Sequence, residues 1–352
     1  MIDDGLGEAS DRAGRTLAAI RARRLYVRRH GLFGTRRWWR VRRSYETLWP
    51  FADAWSAFCT WTDQESTMQL LDDMPQALRS YAERPGTLAE PESAGFQSVV
   101  TPPLGSGGDK YYDDNAWLGL ALLRHFELTN SPALLTLARR VYSFVLSGWS
   151  TDATWRIPGG IRWKEPASNT SRNTCVNGPA ATLAARIHQK TGDGTDLDWA
   201  IRIYDWTREA LRTPEGLYED RIASDGRRDP TLWSYNQGSM IGAGVLLARQ
   251  TRDQTFLEHA VETAAAYLEG RSVSDLLTQD PAFNAVLFRN LLVLDQDRPD
   301  PRYRALAAAY GTAMWSTRRL RHGFFSGQGS VLNNTAAMLQ IYALLAGASP
   351  HP

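Results

Sequence analysis

Apolar residues recur every three to four positions over most of this chain, the spacing of helices that bury one face. From the N-terminus the pattern predicts a weakly amphipathic helix over 10–30 and a turn over 31–34. A stronger helix follows over 44–61, with Leu48, Phe51, Ala52, Trp55 and Phe58 on one face, and another over 66–83. The stretch 84–108 is rich in Pro, Gly and Ser. A loop this long inside a compact domain is either functional or disordered, and its run into residues 109–117 (DKYYDDNAW) marks it as the rim of a site.

Beyond that stretch the chain repeats itself. LRHFELTN (123–130), ARIHQKTGD (185–193) and ARQTRD (248–253) close three successive units, with threonines at Thr129, Thr191 and Thr251. Each is followed by a second helix with an early Leu or Phe and a later Ala: Leu134/Ala138, Leu197/Ala200, and Phe256 and Leu257/Ala260. The unit is a helical hairpin of about 60 residues, and a period of this size points to a repeat architecture. The first helices, over 118–128, 180–188 and 242–248, are apolar nearly all round and therefore buried. The second helices carry charges on one side and face solvent. Two further pairs follow, 283–295 with 301–317, and 329–345. About six inner–outer pairs describe an all-α fold, an (α/α)6 toroid. No stretch has the strict two-residue alternation of an antiparallel sheet.

The repeat also places the chemistry. Each first helix is preceded by a polar, aromatic-bearing loop: 111–115, then NTCVNG (173–178), then WSYNQG (233–238). Asp114, Asn177 and Asn236 are spaced so that they share one phase of the repeat, and closing the ring brings their helix starts to one end of a central cavity. Asp113 is placed to cap its helix. A second Asp beside it is not needed for capping, so the pair points to chemistry. Two carboxylates in an aromatic pocket are the minimum equipment for glycoside hydrolysis, one as nucleophile or base and the other protonating the departing oxygen. The helix dipole keeps one ionised and its charge holds a proton on the other. Tyr112, Trp117, Trp163 and Tyr235 are candidate sugar platforms, while Trp149, Trp199, Trp206 and Trp315 read as core.

Composition narrows the rest. With 43% hydrophobic and 22% charged residues in 352, the chain can build a large core. No apolar run is long enough to cross a membrane and no export signal is readable, so a cytoplasmic monomer is expected. Cys59 and Cys175 stand alone, and the six histidines form no ligand pattern, so no metal or other cofactor is expected. Twelve arginines and no acid lie between Arg12 and Arg43, leaving the remainder at 2 − 12 = −10. Such an arm can touch nucleic acid or an anionic membrane, or be a solvated helix. The solvated helix is the expectation, with no nucleic-acid partner, and Trp38 and Trp39 fold its end back onto the body. The division is then a basic N-terminal helical arm, 1–43, and a toroidal domain, 44–348.

YYDDNAW (111–117), GGIRW (159–163), NTCVNG (173–178), GLYED (216–220) and SYNQG (234–238) together resemble glycoside hydrolase family 76, over about residues 45–345. The resemblance implies an (α/α)6 barrel and an endo-acting, retaining α-1,6-mannanase, or a related transglycosylase, working on mannan or manno-oligosaccharide. It implies Asp113 as nucleophile and Asp114 as acid/base. It also implies binding roles for Trp163, Asn177, Asp220, Tyr235, Asn236 and Gln237. Two features depart from the family pattern: Arg221 stands where many members have Gly, and the arginine arm has no counterpart. A non-catalytic helical glycan-binding repeat is the alternative from another class.

Overall fold

The computed structural model describes residues 2–21, 26–27, 30–35, 44–62, 65–83, 94–166 and 168–351. Six inner helices form a closed ring: α2 (Leu48–Thr60), α4 (Tyr112–Thr129), α6 (Thr174–Thr191), α8 (Ser234–Thr251), α11 (Pro281–Asp295) and α13 (Val331–Leu345). Each packs on the next, and α13 packs back on α2. Outside them run α3 (Glu65–Leu78), α5 (Pro132–Ser147), α7 (Gly194–Leu211), α9 (Gln254–Glu269) and α12 (Pro301–Thr317), with a single-turn α10 (Val273–Leu276) between α9 and α11. This is the (α/α)6 toroid. Two-residue strands also occur: β1 (Tyr26–Val27) pairs with β2 (Leu32–Phe33), and β3 (Arg172–Asn173), β4 (Arg221–Ile222) and β5 (Arg228–Asp229) form a small antiparallel sheet at the cavity end. They are too short for any alternation to be read in sequence.

The sixth outer helix comes from the far end of the chain. The N-terminal α1 (Ile2–Arg21) packs along α13, with Ala13, Leu17 and Ile20 in the core. Arg12 lies over the rings of Trp315 and Tyr342, 5.4 and 5.9 Å from their centroids, and donates to Thr312 Oγ1. This corrects the expectation of a solvated helix over 10–30: α1 starts earlier than the periodicity predicts, packs on α13 and completes the ring. Trp38, Trp39 and nine of the arginines between Arg12 and Arg43 lie outside the described residues.

The turns between inner and outer helices explain the repeating threonines. Thr129, Thr191 and Thr251 each donate to the carbonyl four residues back and accept the N–H two residues on. Asn130, Gly192 and Arg252 end the helices in the left-handed conformation. The polar turn is thus built from one hydroxyl and one positive φ.

At the opposite end an amide secures each preceding loop. Asn115 accepts from Phe96 N–H and donates to the carbonyls of Phe96 and Tyr111. Asn177 does the same with Ile161 and Asn173, and Gln237 with Tyr218 and Trp233. All three are the fourth residue of their helix and fully buried. The equivalent set is therefore Asn115, Asn177 and Gln237, one position away from the expected Asp114 and Asn236. It is continued in α11 by Asn284, which donates to Leu276 C=O. The loop before α6 needs a further device: Gly159 and Gly160 take φ of 92° and 79°, and a Cβ at Gly160 would lie 2.4 Å from Trp206. Glycine lets that loop press on the indole, whose N–H donates to Pro158 C=O.

Two outcomes follow. Leu17→Ala should cost about 2–5 kcal/mol in urea unfolding, as for a buried core leucine, because α1 is ring wall; a solvated arm would show no loss. Asn177→Ala should cost about 1–3 kcal/mol for each orphaned Ile161 group, and unfolding at wild-type denaturant concentration would contradict the clamp.

Candidate active site

The inner helices run parallel, so their first turns meet at one end of the ring. There they surround a cavity of about 620 Å³. Its wall includes Asp113, Asp114 and Trp117 from α4, Cys175 from α6, Tyr235 from α8, Phe283 from α11 and Trp49 from α2. Loop and strand residues complete it: Ser98, Tyr111, Trp163, Asn173, Asp220, Arg221, Trp233, Thr47 and Gln328. The amide clamps set this lining. Each clamped residue (Phe96, Ile161, Tyr218) is buried, and the residue two positions on (Ser98, Trp163, Asp220) faces the cavity. Extended backbone has that two-residue period.

Asp113 is the second residue of α4, and Tyr111 occupies the capping position without a side-chain bond. The capping expectation for Asp113 is thus corrected; its carboxylate is free for other partners. Oδ1 accepts from the Asp114 N–H at 2.9 Å. Oδ2 accepts from Trp163 Nε1 at 3.0 Å and faces the Cys175 thiol at 3.6 Å. Burial pushes Asp113 up to about 6, against the pull of these three donors. Asp114 is raised well above the usual carboxylate range, first by burial, then by the charge of Asp113 and that of Asp53. Asp53 lies deeper, pushed up to about 8 by burial although Arg289 opposes the shift. The two environments therefore differ in direction: three donors favour the carboxylate of Asp113, while burial and the neighbouring charge favour the protonated form of Asp114. Acid–base catalysis requires such a difference between neighbours.

Two aromatic groups wall the cavity. Tyr235 stacks on Phe283 with centroids 3.9 Å apart, and Trp49 and Trp233 contact the same phenyl ring. Tyr111 and Trp163 meet edge to face at 5.0 Å. Asp220 is raised by burial while Asn236 donates to its Oδ1. Arg221 Nε lies 3.6 Å from Asp229 Oδ2, which holds the guanidinium at the rim. No group of three or more His, Cys, Asp or Glu side chains among the described residues could hold a metal ion.

Six of the expected site residues line the cavity: Asp113, Asp114, Trp117, Trp163, Asp220 and Tyr235. Four expectations of sugar contact are corrected. Tyr112 is buried, stacked on Phe144, and its neighbour Tyr111 takes the cavity position. Asn177 and Gln237 are consumed by the loop clamps, and Asn236 is buried behind Asp220. Sequence reasoning missed Trp49, Trp233, Phe283 and Cys175. Cys175 was within reach, since it lies 62 residues after Asp113 and 60 before Tyr235 in a repeat of that length.

Similar proteins share this architecture. A family 76 glycoside hydrolase (mannosidase) from Bacteroides thetaiotaomicron VPI-5482 superposes with a TM-score of 0.80 at 20% identity, covering 96% of this chain and 98% of that one. An inactive variant of an alpha-1,6-mannanase from Salegentibacter sp. HEL1_6, in complex with alpha-1,6-mannotriose, gives 0.75 at 20% identity, covering 97% and 99%. These likenesses show the common toroid. In sequence, the chain is 28% identical over 188 residues to mannan endo-1,6-alpha-mannosidase DCW1 of Candida glabrata, 49% of this chain and 42% of that protein. It is 29% identical over 160 residues to its Saccharomyces cerevisiae namesake, 41% and 35%. The matched stretch thus spans less than half the length of these curated relatives. Residues 34–294, almost three quarters of the chain and all of the paired-aspartate region, match glycosyl hydrolase family 76, and to that family this chain belongs.

Proposed function

We propose that this chain is an endo-acting, retaining hydrolase of α-1,6-mannosidic linkages. The observation that carries the reading is the unequal pair at the start of α4: Asp113 is held by three donors, and Asp114 beside it is buried so that its protonated form is favoured. The named activities of the curated relatives and the mannotriose bound to the Salegentibacter enzyme support the substrate class. That enzyme's inactive variant carries Asn in place of two consecutive aspartates, which supports the roles of the pair.

In this reading Asp113 attacks the anomeric carbon and forms a glycosyl ester while Asp114 protonates the departing oxygen. Asp114, now a carboxylate, takes a proton from the incoming water, which cleaves the ester. An inverting route needs carboxyls about 6.5–9.5 Å apart with a water between them. Neighbours on one helical turn leave little room for it. Trp and Tyr faces lie against the C–H face of a pyranose, and Ser98, Asn173 and Gln328 are available to its hydroxyls.

Asp113→Asn and Asp114→Asn should each fold normally and lose about 10²–10⁴-fold in kcat/KM on linear α-1,6-manno-oligosaccharides. Proton NMR in the first minutes should show α-configured product; initial β-mannose sinks the retaining assignment, and products longer than the substrate point to transfer rather than hydrolysis. The pH profile should lose activity below about 6, as the carboxylate of Asp113 takes up a proton and stops being a nucleophile. An acid limb near 4 would contradict that environment.

A further inference from the structure

The ring repeats its register, and the repeat has an unassigned chemical consequence at the second residue of three consecutive inner helices. In α4 that residue is Asp113, in α6 Cys175 and in α8 Tyr235. All three line the cavity. The thiol sulfur is 3.6 Å from Asp113 Oδ2, and Cys175 as a residue is buried, 4% exposed. On its other side stands Tyr235, at the same register position of α8, the helix packed against α6, and lining the same cavity. Phe283 stacks on the Tyr235 ring and fixes its direction.

We propose that Cys175 and Tyr235 are positioning residues for Asp113, forming a row in which the Tyr235 hydroxyl donates to the thiol and the thiol donates to Asp113 Oδ2. The inference rests on the reading of Asp113 as nucleophile and goes beyond it, since Cys175 is not otherwise assigned a part in the reaction and Tyr235 only a place in the sugar-facing wall. The row has a physical reason. An ionised carboxylate on a helix start can rotate about its side-chain bonds, and attack on an anomeric carbon tolerates little misplacement. Trp163 holds Oδ2 from the loop side and the thiol holds it from the neighbouring helix. Burial keeps the thiol protonated, raised well above its ordinary range, so it acts as a donor and not as a competing nucleophile. Tyr235 links the row to the wall that a bound sugar would touch, so occupancy of the cavity and orientation of the carboxylate are joined through two hydrogen bonds.

The test is a set of variants of the full chain, Cys175→Ala, Cys175→Ser, Tyr235→Phe and the Cys175→Ala/Tyr235→Phe double, with Asp113→Asn as reference. Each is assayed for kcat and KM across pH on one linear α-1,6-manno-oligosaccharide. The other charged groups facing the row are Asp114 on α4, Asp53 on α2, Asp220 before β4, Arg221 on β4 and Arg289 on α11; all stay unchanged in these variants. Cys175→Ala should lower kcat about 2–10-fold, the size of one hydrogen bond, leave KM alone and move the acid limb to higher pH. Cys175→Ser, which keeps a donor, should restore both. Tyr235→Phe keeps the stacked ring and should lose nothing further once the thiol is gone, a non-additivity expected of residues acting in series. An acid limb of Cys175→Ala that coincides with wild type, or losses that add in the double variant, overturns the row. Full activity of Asp113→Asn overturns the nucleophile reading itself, and the two failures are thereby distinguished.

Discussion

The structure depends on one constraint: six buried helix starts must find partners for backbone groups in loops that no longer face water. The solution, seen in three consecutive repeats, is a buried amide at the fourth helical position bonded to both polar groups of one loop residue. An orphaned buried N–H or C=O costs about 1–3 kcal/mol. The clamps therefore hold the loops in one register, and the cavity lining inherits that register. Trp163 reaches Asp113 because Ile161, two residues earlier, is bonded to Asn177. Fold and chemistry meet at that side chain.

Convergence of helix starts also sets an electrostatic contest. Aligned dipoles favour negative charge near α4's first turn by about 0.3–2 kcal/mol. Burial opposes them. The rise of Asp113 from the ordinary 3.8 to about 6 corresponds to about 3 kcal/mol against ionisation. Burial wins, even with three donors on the carboxylate, and it raises the second aspartate further, first by burial again and then by the charge of its neighbour.

Much of this was legible in sequence because the repeat is local. The threonines at Thr129, Thr191 and Thr251 mark turns whose hydroxyls make identical bonds. The inner helices stand out by their lack of charge. What was not legible depends on where each helix begins. Tyr111 and Tyr112 are neighbours, and only the helix start decides which one stacks inward on Phe144 and which lines the cavity. Asn236 and Gln237 pose the same problem: both are amides, and one residue of register separates a loop clamp from a partner of Asp220. The position of α1 was hidden for another reason. Its partner α13 lies some three hundred residues away, and arginines on its surface obscure the apolar stripe of Ala13, Leu17 and Ile20.

The repeat assigns different freedoms to different turns of the same helix. At the fourth position the side chain must span a fixed gap to a loop, and only Asn or Gln appears in α4, α6 and α8. At the second position nothing in the fold demands a given chemistry, because the side chain opens onto the cavity; there the residues are Asp, Cys and Tyr. A ring of near-identical hairpins thereby yields an asymmetric site without bending the scaffold. The asymmetry comes from varying one register position while its neighbour two residues on keeps holding the walls. That separation explains why substitutions at Asn177 and at Cys175, two residues apart on one helix, should act on different properties, the first on stability and the second on the direction of a carboxylate.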